Sequence, residues 1–80
     1  MPRYYFDTHD GTSFMADAEG VDFPNLPAAR RQAQAALADM AHDVVPGDGA
    51  SLIMTCRVRD ETGQTVLLRA SLVLTVEEGP

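Results

Sequence analysis

The chain has 80 residues, a net charge of −6 at neutral pH and one cysteine. This length predicts one domain, residues 1–80, and a chain this short buries only about 60–65% of the surface that its unfolded form exposes. The acidic charge argues against nucleic-acid binding, because a polyanion would be repelled, and a lone cysteine excludes an internal disulfide. Small domains of this kind are often stabilised by a second subunit, so we expect self-association.

The first predicted elements form a hairpin near the N-terminus. Residues 3–8 are aromatic-rich and indicate a strand, and residues 13–16 return as its partner. The turn is expected at residues 9–11, with Gly11 in the left-handed position of a three-residue loop. The register predicted from that loop pairs Thr8 with Thr12, Phe6 with Phe14 and Tyr4 with Ala16.

A helix is predicted over residues 26–44, after a brief extended piece at residues 21–23. Asn25 is a good N-cap, and Pro27 lies in the first turn, where a missing N–H costs nothing. Residues 46–49, Pro-Gly-Asp-Gly, predict the end of the helix. One apolar stripe follows helical spacing, and it is rich in alanine: Leu26, Ala29, Ala33, Ala36, Leu37, Met40 and Val44.

The last third of the chain predicts a second hairpin, with strands at residues 51–60 and 65–76 and a turn at 61–63. We expect the longer run, 65–76, to be a central strand that also pairs with residues 3–8. Residues 77–80 are expected to be a frayed tail. Pairing Asp60 with Gln64 sets Cys56 opposite Leu68, Met54 opposite Ala70 and Leu52 opposite Leu72.

These elements predict an α+β fold of order strand–strand–helix–strand–strand. A single helix is expected to cover one face of a small, mostly antiparallel sheet. Cys56 falls on the face that alternates as core, where it is interpreted as a small hydrophobic residue.

The other face of the second hairpin mixes arginine with aliphatic residues. This composition is typical of a protein interface, and it also fits a solvated sheet face with scattered apolar residues. An RNA strand is a third interpretation, which the lack of aromatic residues for base stacking disfavours. The candidate interface residues are Ile53, Arg57, Arg59, Leu67, Arg69 and Val73.

No pattern in the sequence predicts a catalytic, cofactor or metal site. His9 lies in a turn whose Asp and Gly serve the backbone, and His42 lies near a helix end, where it complements the dipole. The leading hypothesis is therefore a non-enzymatic protein-interaction or accessory module. The alternative is a small enzyme or ligand-binding protein with a site formed across a dimer interface, using His9 or His42.

The expected assembly is a homodimer, and an unidentified protein partner is also considered. The exposed aliphatic residues supply a patch, and the arginines are expected at its rim. The segment Leu72–Val76 is expected to extend past its partner strand and to offer a free edge to a second copy.

The start of the chain lacks the apolar segment of a signal peptide, and no apolar run approaches the ~20 residues of a membrane span. Together with the free cysteine, these features predict a cytoplasmic protein that does not associate with membranes.

Five short segments stand in a recognisable order and spacing: residues 2–6, Asp10-Gly11, residues 17–20, residues 26–30 and residues 60–63. Together they resemble a family of short proteobacterial proteins that carry a domain of unknown function. The resemblance covers most of residues 2–68, and it implies a small hairpin–helix–hairpin domain without assigning an activity or functional residues. Such proteins often end soon after a short final strand, whereas this chain continues through Val76.

Overall fold

The computed structural model describes residues 1–44 and 47–80. It confirms the predicted α+β class, with one helix packed against a mostly antiparallel sheet. The extended piece after the first hairpin is a further short strand, so three strands precede the helix. The elements are β1 (Arg3–His9), β2 (Phe14–Met15), β3 (Val21–Asp22), α1 (Leu26–His42), β4 (Ser51–Asp60) and β5 (Thr65–Val73).

The sheet has the order β2-β1-β4-β5, and β3 pairs with β1 on the same side as β2. The prediction of a central 65–76 strand is therefore wrong, because β5 lies at the edge and β4 pairs with β1. Burial gives the physical reason. The inward residues of β4 are Met54, Cys56 and Val58, which are at most 1% exposed, whereas the inward residues of β5 are only half-buried.

The second hairpin has the predicted register. Cys56 pairs with Leu68, Met54 with Ala70 and Leu52 with Leu72. The expected overhang of Leu72–Val76 is wrong, because Val73 pairs with Ser51, the first residue of β4. A final hydrogen bond runs from the Leu74 N–H to the Ala50 carbonyl, at 3.0 Å.

The predicted register of the first hairpin is wrong. Thr8 pairs with Met15, and His9 pairs with Phe14. The Asp10 carboxylate causes the shift, because it accepts hydrogen bonds from the backbone N–H groups of Thr12 at 2.9 Å and Ser13 at 2.8 Å. The loop is therefore longer than three residues, and β2 keeps only two residues.

Helix α1 begins as predicted, since the Asn25 side chain accepts a hydrogen bond from the Ala28 N–H at 3.0 Å. It ends at His42, two residues before the predicted end, and Asp43 forms the C-cap. Of the predicted stop signal, Pro46 lies outside the described residues.

The alanine-rich stripe brings the helix close to the sheet. Ala29 and Ala33 are fully buried in the same core as the inward residues of β4. Their methyl side chains are small, so the helix backbone can pack close to the sheet. The Phe23 ring closes one end of this core with an edge-on contact to Phe6, at 5.9 Å between ring centroids. The buried core consists of Tyr4, Ala29, Ala33, Leu37, Met54, Cys56 and Val58.

Candidate functional site

The sheet face opposite the helix, here called the open face, carries the candidate interface residues on β4 and β5. Strand alternation places all six on this face, as predicted. Three aliphatic side chains on this face are exposed: Ile53 at 51%, Leu67 at 48% and Val73 at 64%. Arg57 is paired directly with Leu67, so an exposed cation lies against an exposed aliphatic chain.

Arg59 differs from the other two arginines because its guanidinium is held by contacts with other residues, although its side chain is still 37% exposed. Its guanidinium donates to the Asp7 carboxylate at 2.9 Å and to the Asp17 carbonyl at 2.6 Å. It also lies over the Tyr5 ring, 4.5 Å from the centroid. Among the described residues, neither Arg57 nor Arg69 forms an ion pair. These two therefore supply the free positive charge of the open face.

Asp7 is the one charged residue among the buried side chains of the described ranges, at 8% exposure. Burial alone would raise the pKa of its carboxyl, but hydrogen bonds from the Arg59 guanidinium and the Asp17 N–H outweigh that effect and lower it. Asp7 therefore stays ionised at neutral pH. The Asp7–Arg59 pair holds the loop after β2 against the sheet. The two side chains are bonded to each other, so this contact assigns them a structural role.

Asp17 completes this cluster by accepting a backbone hydrogen bond from β1 at a position where neither β2 nor β3 pairs with that strand. Its carboxylate accepts a hydrogen bond from the Phe6 N–H at 3.1 Å, in the gap between β2 and β3. It also accepts from the Glu19 and Gly20 N–H groups at 3.0 and 3.1 Å. Burial acts to raise the pKa of Asp17, but these backbone donors lower it. The sequence indicated only a turn at this position.

The carboxylates in the two hairpin turns make the stability of the fold depend on pH. Backbone N–H donors from Ser13 and Thr12 lower the pKa of Asp10 to about 2. The Thr62 hydroxyl and backbone donors lower the pKa of Asp60 in the second hairpin. A depressed folded-state pKa stabilises the protein above the unfolded value of about 3.9, and the contribution is lost as the pH falls through the folded value.

Lowering the pH from about 5 to about 2 should therefore reduce the midpoint of thermal unfolding progressively, since Asp7, Asp10, Asp17 and Asp60 all have lowered pKa values. Calorimetry across this range measures the loss. Asp10→Asn keeps a side-chain acceptor for the turn and removes one titrating group, so its curve should be shallower. Identical curves for the two proteins would contradict this assignment.

The two histidines lie in separate local contacts. The His9 ring accepts a hydrogen bond from the Gly11 N–H at 3.0 Å in the first hairpin loop. His42 is 3.4 Å from the Asp43 carboxylate at the end of α1, and both side chains are more than four-fifths exposed. Within residues 1–44 and 47–80, no group of three His, Cys, Asp or Glu side chains is arranged to hold a metal ion.

Cys56 is fully buried beneath the helix. Burial raises the pKa of its thiol, and the negative charge of Asp7 adds to the rise. The thiolate, which is the reactive form, is therefore disfavoured. This agrees with the interpretation of Cys56 as a core residue.

An apolar groove of about 530 Å³ runs between α1 and β5. It exists because the helix covers β4 and leaves the inward residues of β5 half exposed. The sequence did not predict it, since that required knowing that β5 lies at the sheet edge. Its walls are formed by Gln34, Leu37, Ala38, Ala41, Leu68, Arg69 and Ala70.

The opposite edge of the sheet carries a second set of exposed apolar side chains that sequence reasoning missed. Phe14 is 65% exposed, Met15 is 71% exposed and Val21 is 51% exposed. For Phe14 the wrong hairpin register explains the omission, because it placed Phe14 across from Phe6 with the apolar residues on one face, whereas Phe14 pairs with His9. None of the helices described reaches the length and apolar character that crossing a bilayer requires.

These features define a small α+β domain in which one sheet face is covered by the helix and the other, within the described residues, is not. The chain belongs to the DUF6894 family, a domain of unknown function, whose family model matches residues 3–73. The predicted resemblance to a domain of unknown function is confirmed at this level. The match extends to the last residue of β5, so the whole second hairpin lies within it and the expected limit at residue 68 was too short. No curated protein and no solved structure matched the chain.

Proposed function

We propose that this domain is a non-enzymatic protein-interaction module of the cytoplasm, in a proteobacterial protein, and that it self-associates as a homodimer. One observation carries the proposal: exposed aliphatic side chains lie beside Arg57 and Arg69 on the sheet face opposite the helix. Among the described residues, neither arginine forms an ion pair, and no helix or further strand packs on that face. Aliphatic residues interleaved with arginine are typical of protein interfaces. The buried free thiol of Cys56 fits a reducing compartment.

The charge distribution supports a protein contact at this face. The whole chain has a net charge of −6, but the exposed charges on the β4–β5 part of the open face are Arg57 and Arg69. An acidic molecule meets the least repulsion there, whether it is a second copy or another protein with an acidic rim. Nucleic acid meets the full negative charge of the chain and is not proposed.

The enzyme alternative depends on His9 or His42. His9 is engaged by the Gly11 N–H, and His42 is a solvent-exposed residue beside Asp43. The His42 contact supplies a carboxylate, but neither contact brings a nucleophile to the ring. The alternative would be favoured if His9→Ala together with His42→Ala abolished an activity while the fold survived.

Leu67→Asp should weaken the dimer at least tenfold, because it places a charge in the exposed aliphatic surface of β5. The measurement is the dimer dissociation constant by sedimentation equilibrium, with light scattering as a second readout. Val21→Asp is the matched control, since Val21 is 51% exposed and Leu67 is 48% exposed, but Val21 lies at the opposite sheet edge.

A dimer that Leu67→Asp weakens and Val21→Asp leaves unchanged supports a contact that includes the β5 side of the open face. If Val21→Asp weakened the dimer more than Leu67→Asp did, the dimer contact would instead lie at the sheet edge that carries Phe14 and Met15. A wild-type chain that stays monomeric at high micromolar concentration would refute self-association.

A further inference from the structure

We infer that two copies of the chain join through the outer edges of their β5 strands in one antiparallel register, forming a continuous sheet across a two-fold axis. The inference rests on the proposed self-association and specifies how the second copy binds. In this register, Leu67 lies opposite the partner's Val73, Arg69 lies opposite the partner's Ser71, and Ala70 lies opposite the partner's Ala70.

The edge of β5 is the only long unpaired strand edge within the described residues. β5 has nine residues and pairs with β4 alone, whereas β2 and β3 at the other side have two residues each. Natural sheet edges are protected by prolines, lysines, bulges or short length. β5 has none of these, and its only charged residue is Arg69. Such an edge is a template for another strand.

The hydrogen bonds of the β4–β5 ladder determine which residues face that edge. The Asp60 N–H donates to the Gln64 carbonyl, and the Leu74 N–H donates to the Ala50 carbonyl, each at 3.0 Å. The register between these two bonds is continuous. Antiparallel pairs alternate between bonded and non-bonded positions, so the even-numbered residues of β5 bond β4. The residues whose N–H and C=O groups point outward are Thr65, Leu67, Arg69, Ser71 and Val73.

Symmetric pairing of these outward groups allows a small set of registers, and side-chain chemistry selects one. A neighbouring register opposes Arg69 with the partner's Arg69, and like charges directly opposite are destabilising. Two others set Arg69 against the partner's Leu67 or Val73. Only the proposed register places an aliphatic residue opposite an aliphatic residue and arginine opposite serine on the open face. It forms about eight backbone hydrogen bonds over residues 67–73.

The helix-covered face supports the same register. Leu68 then lies opposite the partner's Leu72, beside the groove between α1 and β5. The two grooves meet at the two-fold axis, where Ala70 is small enough for the strands to approach. In this dimer, the partner chain would bury the residues of β5 that α1 leaves half-exposed.

Two variants of the full chain, which place either a negative or a positive charge at residue 71, test the register. Ser71 is exposed, so neither substitution disturbs the core. Ser71→Glu places a carboxylate opposite the partner's Arg69 twice in each dimer and should tighten the dimer about fivefold, whereas Ser71→Arg should weaken it about fivefold. Ser71→Gln is the neutral control. Sedimentation equilibrium measures the three dissociation constants, and added salt should reduce the difference between Glu and Arg.

Cysteine cross-linking gives an independent readout. Non-bonded antiparallel partners lie about 4.5 Å apart at Cα, within the range that a disulfide spans. Under a mild oxidant, Ala70→Cys should therefore form a cross-linked dimer in preference to Arg69→Cys and Ser71→Cys. The wild-type chain is the control, because Cys56 is fully buried.

A dimer in which Glu and Arg at residue 71 act alike, and in which Ala70→Cys does not cross-link preferentially, overturns this register and leaves the proposed self-association standing. A wild-type chain that is monomeric at high micromolar concentration overturns both. Cross-linking at Ala70 together with opposite effects of the two charges is the expected result.

Discussion

Met54→Ala is expected to lower the free energy of unfolding by about 3 kcal/mol, in the range measured for buried large-to-small substitutions. Met54 is 1% exposed and lies in the middle of β4 beneath α1. The fully buried Ala29 and Ala33 leave the helix backbone close to the sheet, so it has little freedom to collapse into the cavity. Urea unfolding of dilute protein measures the change.

The control for this experiment is Met15→Ala. Met15 has the same side chain but is 71% exposed on β2, so its removal should change the free energy of unfolding by less than about 0.5 kcal/mol. For a domain of this size the total is about 4–12 kcal/mol, so the Met54 variant loses a large share of its stability. Equal effects of the two substitutions would mean that β4 is not the strand under the helix.

Asp7→Ala is expected to lower the free energy of unfolding by about 2–3 kcal/mol. The substitution leaves the Arg59 guanidinium without its carboxylate and the Asp17 N–H without its acceptor. Losing one partner of a fully buried pair costs about 3–5 kcal/mol, and we expect less here because the Arg59 side chain is 37% exposed. Thermal and urea unfolding measure the loss.

Two further variants separate burial from charge. Arg3→Ala removes one partner of the exposed Arg3–Asp22 pair, whose side chains are each 45% exposed, and should cost under about 1 kcal/mol. Asp7→Asn keeps an acceptor for the Asp17 N–H and should cost less than Asp7→Ala. If Arg3→Ala costs as much as Asp7→Ala, the buried pair is not the element that fixes the loop after β2.

The second hairpin and the helix start were predictable from the sequence because their signals are local. Alternation over residues 51–60 and 65–73 leaves one register that puts both apolar sets on the same face. Asn25 followed by Pro27 specifies a helix start in the same way. The open face follows from that alternation, so the face on which the six candidate residues lie was predictable, whereas their role as an interface stays a prediction.

The first hairpin and the sheet order were not predictable in this way. One carboxylate, Asp10, sets the loop length through its contacts with Thr12 and Ser13, and the residue count alone suggested a shorter loop. The Asp7–Arg59 hydrogen bond joins residues far apart in sequence. No local pattern therefore indicated that Arg59, unlike Arg57 and Arg69, would be engaged by a carboxylate. The position of β5 depends on which strand the helix covers, which is a property of the whole core.

The proposed dimer leaves part of the open face available. Ile53 and Arg57 lie on β4, one strand away from the proposed contact, and both are exposed. A two-fold axis would present them twice on one continuous sheet, and another protein could contact both copies at once. We therefore expect Ile53→Asp to leave the dimer intact, unlike Leu67→Asp.

Amide hydrogen exchange of β5, followed by NMR at high and low protein concentration, tests most directly the proposed self-association through the outer edge of β5. Pairing along the outer edge predicts that the N–H groups of Leu67, Arg69, Ser71 and Val73 are protected in concentrated protein and lose that protection on dilution. The N–H groups of Leu68, Ala70 and Leu72 bond β4 and should stay protected at both concentrations. Rapid exchange of the four outward N–H groups at every concentration would contradict association through β5.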